Sequence, residues 1–278
     1  MFSGRKLLIA TKHQKEKVIA PLMERELGVR CFVAEHFDTD LLGTFTGEVE
    51  RIDDPLTTVR NKCLMAMQQY DCDLAIASEG SFGAHPSIFF VPADDEILFF
   101  IDKKNKLEII ARELSTETNF SGEEIKTEKQ LVDFAEKAKF SSHGLILRKA
   151  KDDLTELAKG ITDWEELKAN FHRLMSKYGT AFVETDMRAM YNPSRMKVIE
   201  KATLNLITKI KSTCPLCDTP GFGVMEVKKG LPCRQCNFPT RSALSYIYSC
   251  KKCSYTKVEM YPNHLTAEDP MYCDVCNP

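Results

Sequence analysis

Eight of the chain's 11 cysteines lie beyond residue 213, and all eight occur as C-x-x-C pairs. Cys214-x₂-Cys217 is followed after fifteen residues by Cys233-x₂-Cys236, and Cys250-x₂-Cys253 after nineteen by Cys273-x₂-Cys276. Both spacings match the C-x₂-C-x₁₅₋₂₀-C-x₂-C pattern of zinc ribbons. Four thiolates placed tetrahedrally satisfy Zn²⁺ with no open position, so the metal would be structural. The expectation is two Zn²⁺, one on Cys214, Cys217, Cys233 and Cys236, the other on Cys250, Cys253, Cys273 and Cys276. A nested or crossed pairing of the four units is the alternative that spacing leaves open. "PGFGVMEVKKGLP" supplies a hairpin between the first two pairs, and "SYTKVEMYP" starts another after the third. So short a segment has little core of its own, and metal binding would supply much of its folding free energy.

The second concentration of chemistry is "DLAIASEGSFGAHP", Asp73 to Pro86. An apolar run ends in Glu79, flanked by Ser78, Gly80 and Ser81. A charge immediately after a strand buried on both faces is costly unless it is used. Two other apolar runs end in polar clusters, Thr11-Lys12-His13 and Glu184-Thr185-Asp186-Met187-Arg188. Ligands of open α/β sheets bind beyond the carboxyl ends of strands, so co-aligned strands would bring these clusters to one cleft. Lys12, Lys15, Lys17 and Arg188 supply cations there and Glu79 a carboxylate. That mixture suits a polyphosphate with Mg²⁺, the cations holding phosphate oxygens and the carboxylate holding the metal. Gly80 would let the backbone approach a ligand closely. Arg188 and Arg195 flank a helix start at Asn192, which favours anion binding. Plainer roles compete at each position. "KHQKEK" also reads as a solvated helix start, Glu79 as a turn cap with Ser81, and Arg188 as a salt-bridge partner of Asp186. His85, before a proline, reads as a turn residue.

The elements that must position these groups follow from pattern. "RKLLIATKH" reads as a buried strand, a helix follows from about Lys15 to Leu27, and "VRCFVAEHF" reads as a second strand. Asp53-Asp54-Pro55 starts a helix on which Leu56, Val59, Cys63, Leu64 and Met67 recur at helical spacing. "DLAIAS" is a doubly buried strand, and "EILFFIDKKNKLEIIARELS" a β-hairpin turning at Lys103 to Asn105. Thr127 to Ala138 reads as a helix, "HGLILRK" as a strand, Asp163 as a helix cap, "AFVET" as a strand, and Asn192-Pro193 as the start of a helix to about Lys211. Strands alternating with helices, plus a hairpin, give an α/β domain with a mixed sheet. A composition shift at Ser212 divides an α/β domain, residues 1–211, from a double zinc ribbon, residues 212–278.

At two levels the chain resembles known families. "GTFTGEVER", "ASEGSFGAHP", "ETDMRAMYNPSRM" and "YCDVCNP" resemble an uncharacterised bacterial family of domains of unknown function, over nearly the full chain. More remotely, the first ~90 residues, about one small domain, resemble the inosine/xanthosine triphosphate pyrophosphatase superfamily. Its strand ending in a Thr-Gly-Asn turn, with a lysine entering the next helix, is similar to "ATKHQKEKV", where Lys12 and His13 stand for Gly and Asn. "DPLTTVRNK" is similar to the acid and Asn-Arg helix of the non-canonical purine phosphatase branch, and "SEGS" to its Ile-Glu-Gly-Gly. The resemblance implies an inosine triphosphate pyrophosphatase-like fold, with Asp54 and Glu79 as metal-facing carboxylates and Lys17 and Lys62 as phosphate contacts. Asp54 also fits the role of helix cap alone.

Composition bounds the rest. A hydrophobic content of 43%, a charged content of 28% and a net charge of -2 are those of an ordinary globular chain with no global field for nucleic acid. The N-terminal apolar run of four residues is too short for a signal peptide, and no segment nears the ~20 apolar residues that span a bilayer. The expected location is the cytoplasm. In the tail Lys228, Lys229, Arg234, Arg241, Lys251, Lys252 and Lys257 are nearly balanced by Asp218, Glu226, Glu259, Glu268, Asp269 and Asp274, which favours a structural or docking role over phosphate-backbone binding. Two readings result. One is a metal-dependent hydrolase of a nucleotide or other phosphorylated small molecule. The other is a non-catalytic protein whose ribbons dock a nucleic acid or protein partner.

Overall fold

Leu7, Leu8, Ile9 and Ala10 are all buried, so the strand Lys6–Ala10 (β1) is covered on both faces. It pairs in parallel with Arg30–Val33 (β2) and with Leu74–Ala84 (β3). The computed structural model describes residues 1–34, 54–151 and 153–278. The end of the expected second strand and the "GTFTGEVER" stretch lie outside the described residues. Pro92–Asp102 (β4) and Leu107–Ser115 (β5) form the expected hairpin, antiparallel to β3, and the sheet order is β2-β1-β3-β4-β5. The sheet is therefore mixed, as the alternation of strands and helices implied.

The helix Glu16–Leu27 (α1) carries Pro21 within it, and the helix Pro55–Gln69 (α2) begins at Asp54. Val59, Cys63, Ala66 and Met67 of α2 pack on Leu8, Ala10, Ala75, Ala77, Phe99 and Ile101. Burying a side chain of valine or methionine size stabilises the fold by about 1.5–3 kcal/mol. Side chains alternate across a sheet, so Ser78, Gly80, Asp94 and Glu96 occupy the face away from α2.

β3 does not stop at Ser78, as the sequence suggested. It runs to Ala84 because β4 pairs with it along its whole length, whereas β1 leaves it after the Ala10–Ala77 pair. Glu79 is thus inside β3, yet just beyond the carboxyl end of β1.

A second sheet is built from the two expected strands "HGLILRK" and "AFVET" and two that the sequence pattern did not show. Gly122–Ile125 (β6), Leu145–Arg148 (β7), Leu157–Ile161 (β8) and Ala181–Thr185 (β9) pair antiparallel in the order β6-β9-β7-β8. The helices Glu128–Lys137 (α3) and Trp164–Tyr178 (α4) cover it with Leu131, Phe134, Leu167, Phe171 and Leu174. β9 belongs to this sheet, so the three apolar strands invoked for one cleft are not members of one sheet. The helix Pro193–Lys211 (α5) follows.

The chain divides into two units, residues 1–207 and 208–278. The second contains Gly223–Lys229 (β10), Ala243–Ser249 (β11) and Thr256–Met260 (β12) in an antiparallel meander. No helix among the described residues is long and apolar enough to cross a membrane.

Candidate functional site

Each C-x-x-C pair sits on a tight turn. The backbone amides of Asp218, Asn237, Ser254 and Asn277 donate to the carbonyls of Cys214, Cys233, Cys250 and Cys273 at 2.9–3.0 Å. Asp218, Asn237 and Ser254 take positive φ to close their turns, a conformation that aspartate and asparagine tolerate. The sulfurs gather into two groups, Cys214, Cys217, Cys250 and Cys253, and Cys233, Cys236, Cys273 and Cys276, with all ligand atoms of a group within 4.8 Å. This corrects the consecutive pairing expected from spacing. The meander explains it. The first pair precedes β10 and the third follows β11, so antiparallel pairing of Gly223 with Ser249 brings them to one end. The second pair follows β10 and the fourth follows β12, which places both at the opposite end.

The Sγ–Sγ distances are 3.6 Å for Cys214–Cys253, Cys217–Cys250 and Cys236–Cys273, and 3.8 Å for Cys233–Cys276. A tetrahedron with Zn–S bonds of about 2.3 Å has edges of about 3.8 Å. Both groups can therefore hold a metal ion, and the all-thiolate donor set fits zinc. The Thr219 hydroxyl and amide draw the Cys217 thiol down to about 6, favouring the thiolate that a metal needs.

In the α/β unit, ionisable groups meet where β1 leaves β3. Lys15 is buried just before α1; its Nζ donates to Ser78 Oγ at 3.1 Å and lies 3.6 Å from Glu96 Oε2. Arg195, in the first turn of α5, is fully buried, and its Nε donates to Glu96 Oε1 at 2.6 Å. Its Nη1 donates to the Met187 carbonyl, and its guanidinium lies 5.0 Å from the Phe82 ring centroid. Lys62 of α2 is ion-paired with Glu79, and both are buried. Gly80 permits the arrangement, because a Cβ there would overlap Arg195 Nη2 and Glu96 Oε1.

Asp94 completes the cluster. It is fully buried, and among the described residues neither of its oxygens has a hydrogen-bond partner and Glu96 Oε2 accepts no hydrogen bond. Burial, then the neighbouring Glu96, pushes the Asp94 carboxyl up to about 8. Burial works to raise Glu96 too, but Arg195 and Lys15 outweigh it and hold that carboxyl below its ordinary range. Burial and then Arg195 bring Lys15 down to about 8. Opposed shifts in neighbouring buried groups are characteristic of functional sites.

Of the residues singled out from sequence, the structure brings Ser78, Gly80 and Arg195 to one face of the sheet around Lys15 and Glu96, and Lys62 and Glu79 together on the α2 face. Ser81 lies on the same face as Glu79, opposite Asp95. Thr11 is buried and its hydroxyl donates to the Lys12 carbonyl at 3.3 Å, while Lys12 and His13 are half-buried, His13 with positive φ. Lys17 is exposed and donates to Gln14 Oε1 at 2.7 Å. Asp54 is an exposed helix cap. Its Oδ1 accepts from the amides of Leu56 and Thr57, and its Oδ2 from the Thr57 hydroxyl. Arg188 pairs with Asp186 at 2.6 Å and lies over the Tyr191 ring, the plainer of its two roles. His85 caps its own turn through Nδ1.

Asp94 and Glu96 escaped the sequence reading, although their signal was present. In "DDEILFF" they fall in phase with Leu98 and Phe100, which places two carboxylates on a buried face.

No curated protein matches the sequence. Among solved structures, protein VC0702 from Vibrio cholerae is similar at 8% identity, covering 74% of this chain and 94% of that one with a TM-score of 0.33. A score that low does not establish a common fold. The domain of unknown function DUF6671 matches residues 62–278, a span that takes in Glu79, Asp94, Glu96, Arg195 and both cysteine groups. The chain belongs to the DUF6671 family.

Proposed function

We propose that the α/β unit is a Mg²⁺-dependent hydrolase of a phosphorylated small molecule, and that the cysteine unit carries two structural Zn²⁺. The observation that carries the first part is Asp94, a fully buried carboxyl group whose two oxygens have no hydrogen-bond partner among the described residues, beside Glu96 and the buried cations Lys15 and Arg195. An aspartate there costs stability unless something pairs with it. Asp94 and Glu96 would hold the cation, which needs only one or two carboxylates beside water and phosphate oxygens. When bound, the cation polarises a phosphoryl oxygen.

Lys15 and Arg195 would hold the remaining phosphate oxygens. Glu79 holds Lys62 in place through their ion pair, and Asp54 shapes the start of the helix that carries it. The bare hydrogen of Gly80 leaves the guanidinium its position over the hairpin. Within phosphorylated molecules a nucleoside triphosphate is favoured, on the resemblance of "DPLTTVRNK" and "SEGS" to the inosine/xanthosine triphosphate pyrophosphatase superfamily, whose fold this unit would then share. Titration with Mn²⁺, read by electron paramagnetic resonance, tests the centre. One bound ion that disappears in Asp94→Asn supports it, and no binding at the zinc-loaded protein's α/β unit refutes it.

The second reading is a docking protein, favoured by Met225, Val227, Val258 and Met260, which are apolar and exposed on the ribbon strands. A protein partner fits those side chains better than a nucleic acid does. In either case no membrane is engaged.

A further inference from the structure

A concavity of about 400 Å³ in the α/β unit is lined by Thr116, Glu117, Thr118, Lys139, Ser194 and Lys197. It uses none of the cations or carboxylates of the buried cluster. The Ser194 hydroxyl lies 2.9 Å from His143 Nε2, and His143 Nδ1 lies 3.0 Å from Ser142 Oγ. Ser142 Oγ in turn donates to the Lys139 carbonyl at 2.7 Å.

The chemistry of the groups fixes the direction of this chain. Ser142 has one proton, and the Lys139 carbonyl can only accept it. Nδ1 must then be the nitrogen that carries the ring proton and donates to Ser142. Nε2 is left with its lone pair facing Ser194. The ring is buried, and burial first, then the charges of Lys139 and Lys197, hold its pKa below the ordinary value, so it is neutral at pH 7. The Ser194 amide also points at Nε2, at the longer distance of 3.3 Å. A neutral histidine oriented by a third group, with its free nitrogen on a serine hydroxyl in a cleft, is the arrangement of an activated nucleophile.

We propose that Ser194 is a nucleophile with His143 as its general base, acting on esters of small anionic carboxylic acids. Ser194 Oγ attacks the ester carbonyl carbon and its proton passes to Nε2. The bond to the alcohol oxygen breaks, and the departing oxygen takes that proton. A water molecule, deprotonated by Nε2, then attacks the acyl-serine carbonyl; Ser194 leaves with the proton, and the carboxylic acid is released. Ester and water give acid and alcohol with no other reactant.

Oxyanion stabilisation falls to the lysines, because the first amides of α5 are occupied. The Ser194 amide faces His143, that of Arg195 donates to Asn192 Oδ1, and that of Met196 donates to the Asn192 carbonyl. Lys139 and Lys197 also select a negatively charged acyl group, while Glu117, ion-paired with Lys201 at 3.2 Å, closes the rim. Ser142 is a positioning residue, since it acts only through His143.

The test is covalent labelling of the zinc-loaded full chain with a fluorophosphonate probe, mapped by mass spectrometry. Ser194 should carry the label, and Ser194→Ala should carry none. His143→Asn should label about 100-fold more slowly or worse, the usual contribution of a general base. Ser142→Ala should slow labelling and Ser142→Thr restore it, because threonine keeps the hydroxyl. The wild-type rate should rise with pH to a plateau, with a midpoint below about 6.5. A wild-type protein unlabelled at Ser194, or His143→Asn labelling at the wild-type rate, overturns the proposal. If His143→Asn does not fold, the Ser142 pair decides, and labelling of Ser142→Ala at the wild-type rate overturns it.

Discussion

Asp94→Asn keeps the shape of the side chain and removes its charge, so it isolates the electrostatic cost of the buried cluster. In the folded chain the Asp94 carboxyl is held at about 8 against an ordinary value of 3.8. Between those values the native state keeps a proton that the unfolded chain has lost. Stability contributed by that proton is therefore present at low pH and lost as pH rises through the window. A shift of about 4 units at 1.36 kcal/mol each sets a ceiling of roughly 6 kcal/mol. Relaxation around the charge lowers the realised figure to several kcal/mol. Urea unfolding at pH 5, 6, 7 and 8 without added divalent cation should show the wild type losing ground to Asp94→Asn as pH rises. Lys15, held at about 8 against 10.5, is protonated in both states through most of this window and changes stability mainly above it, with the opposite sign. His143 titrates alike in both proteins and cancels in the difference. Mg²⁺ added at pH 8 should raise the wild-type midpoint and leave the variant unmoved. Parallel pH profiles for the two proteins would show instead that Asp94 is ionised and paired in the folded chain, with no buried proton to lose.

Three further outcomes follow from the geometry. Gly80→Ala should destabilise the α/β unit by about 1–3 kcal/mol in chemical denaturation, the usual cost of overpacking, because its Cβ meets Arg195 and Glu96. Glu96→Leu should cost about 3–5 kcal/mol, since it leaves Arg195 and Lys15 buried without their carboxylate. The joint change of Cys214 and Cys250 to serine should leave one zinc per chain by elemental analysis, whereas Cys214 with Cys233 should leave none; the reverse result restores consecutive pairing.

Local signals carried much of the architecture. The Asp54 and Asp163 caps, the β4–β5 hairpin and the Asn192-Pro193 helix start all stand where short-range chemistry put them. What failed was partner choice. The spacing of the four C-x-x-C units counts intervening residues, but the direction of β10, β11 and β12 decides which pairs meet. Had each spacer been read as one strand of a meander, the alternate pairing would have followed. β6 and β8 were invisible for a local reason: "GEEI" is mostly polar and exposed, and "LAKGI" has a glycine at positive φ. Both are strands only because β9 and β7 pair with them. The lysine run before α1 was legible as a source of cations. Which lysine turns inward depends on Ser78 and Glu96, distant in sequence, and it is Lys15 rather than Lys17.

Turnover decides between the hydrolase and the docking protein. The zinc-loaded protein should release phosphate or pyrophosphate from at least one member of a nucleoside triphosphate panel, and only with Mg²⁺. Glu96→Gln, which keeps the side chain's shape and its contact with Arg195, should abolish that release while the protein stays folded and retains two zinc ions per chain. Undiminished turnover by Glu96→Gln, or no turnover of any phosphorylated compound by the wild type, would contradict the hydrolase reading and leave the docking protein in its place.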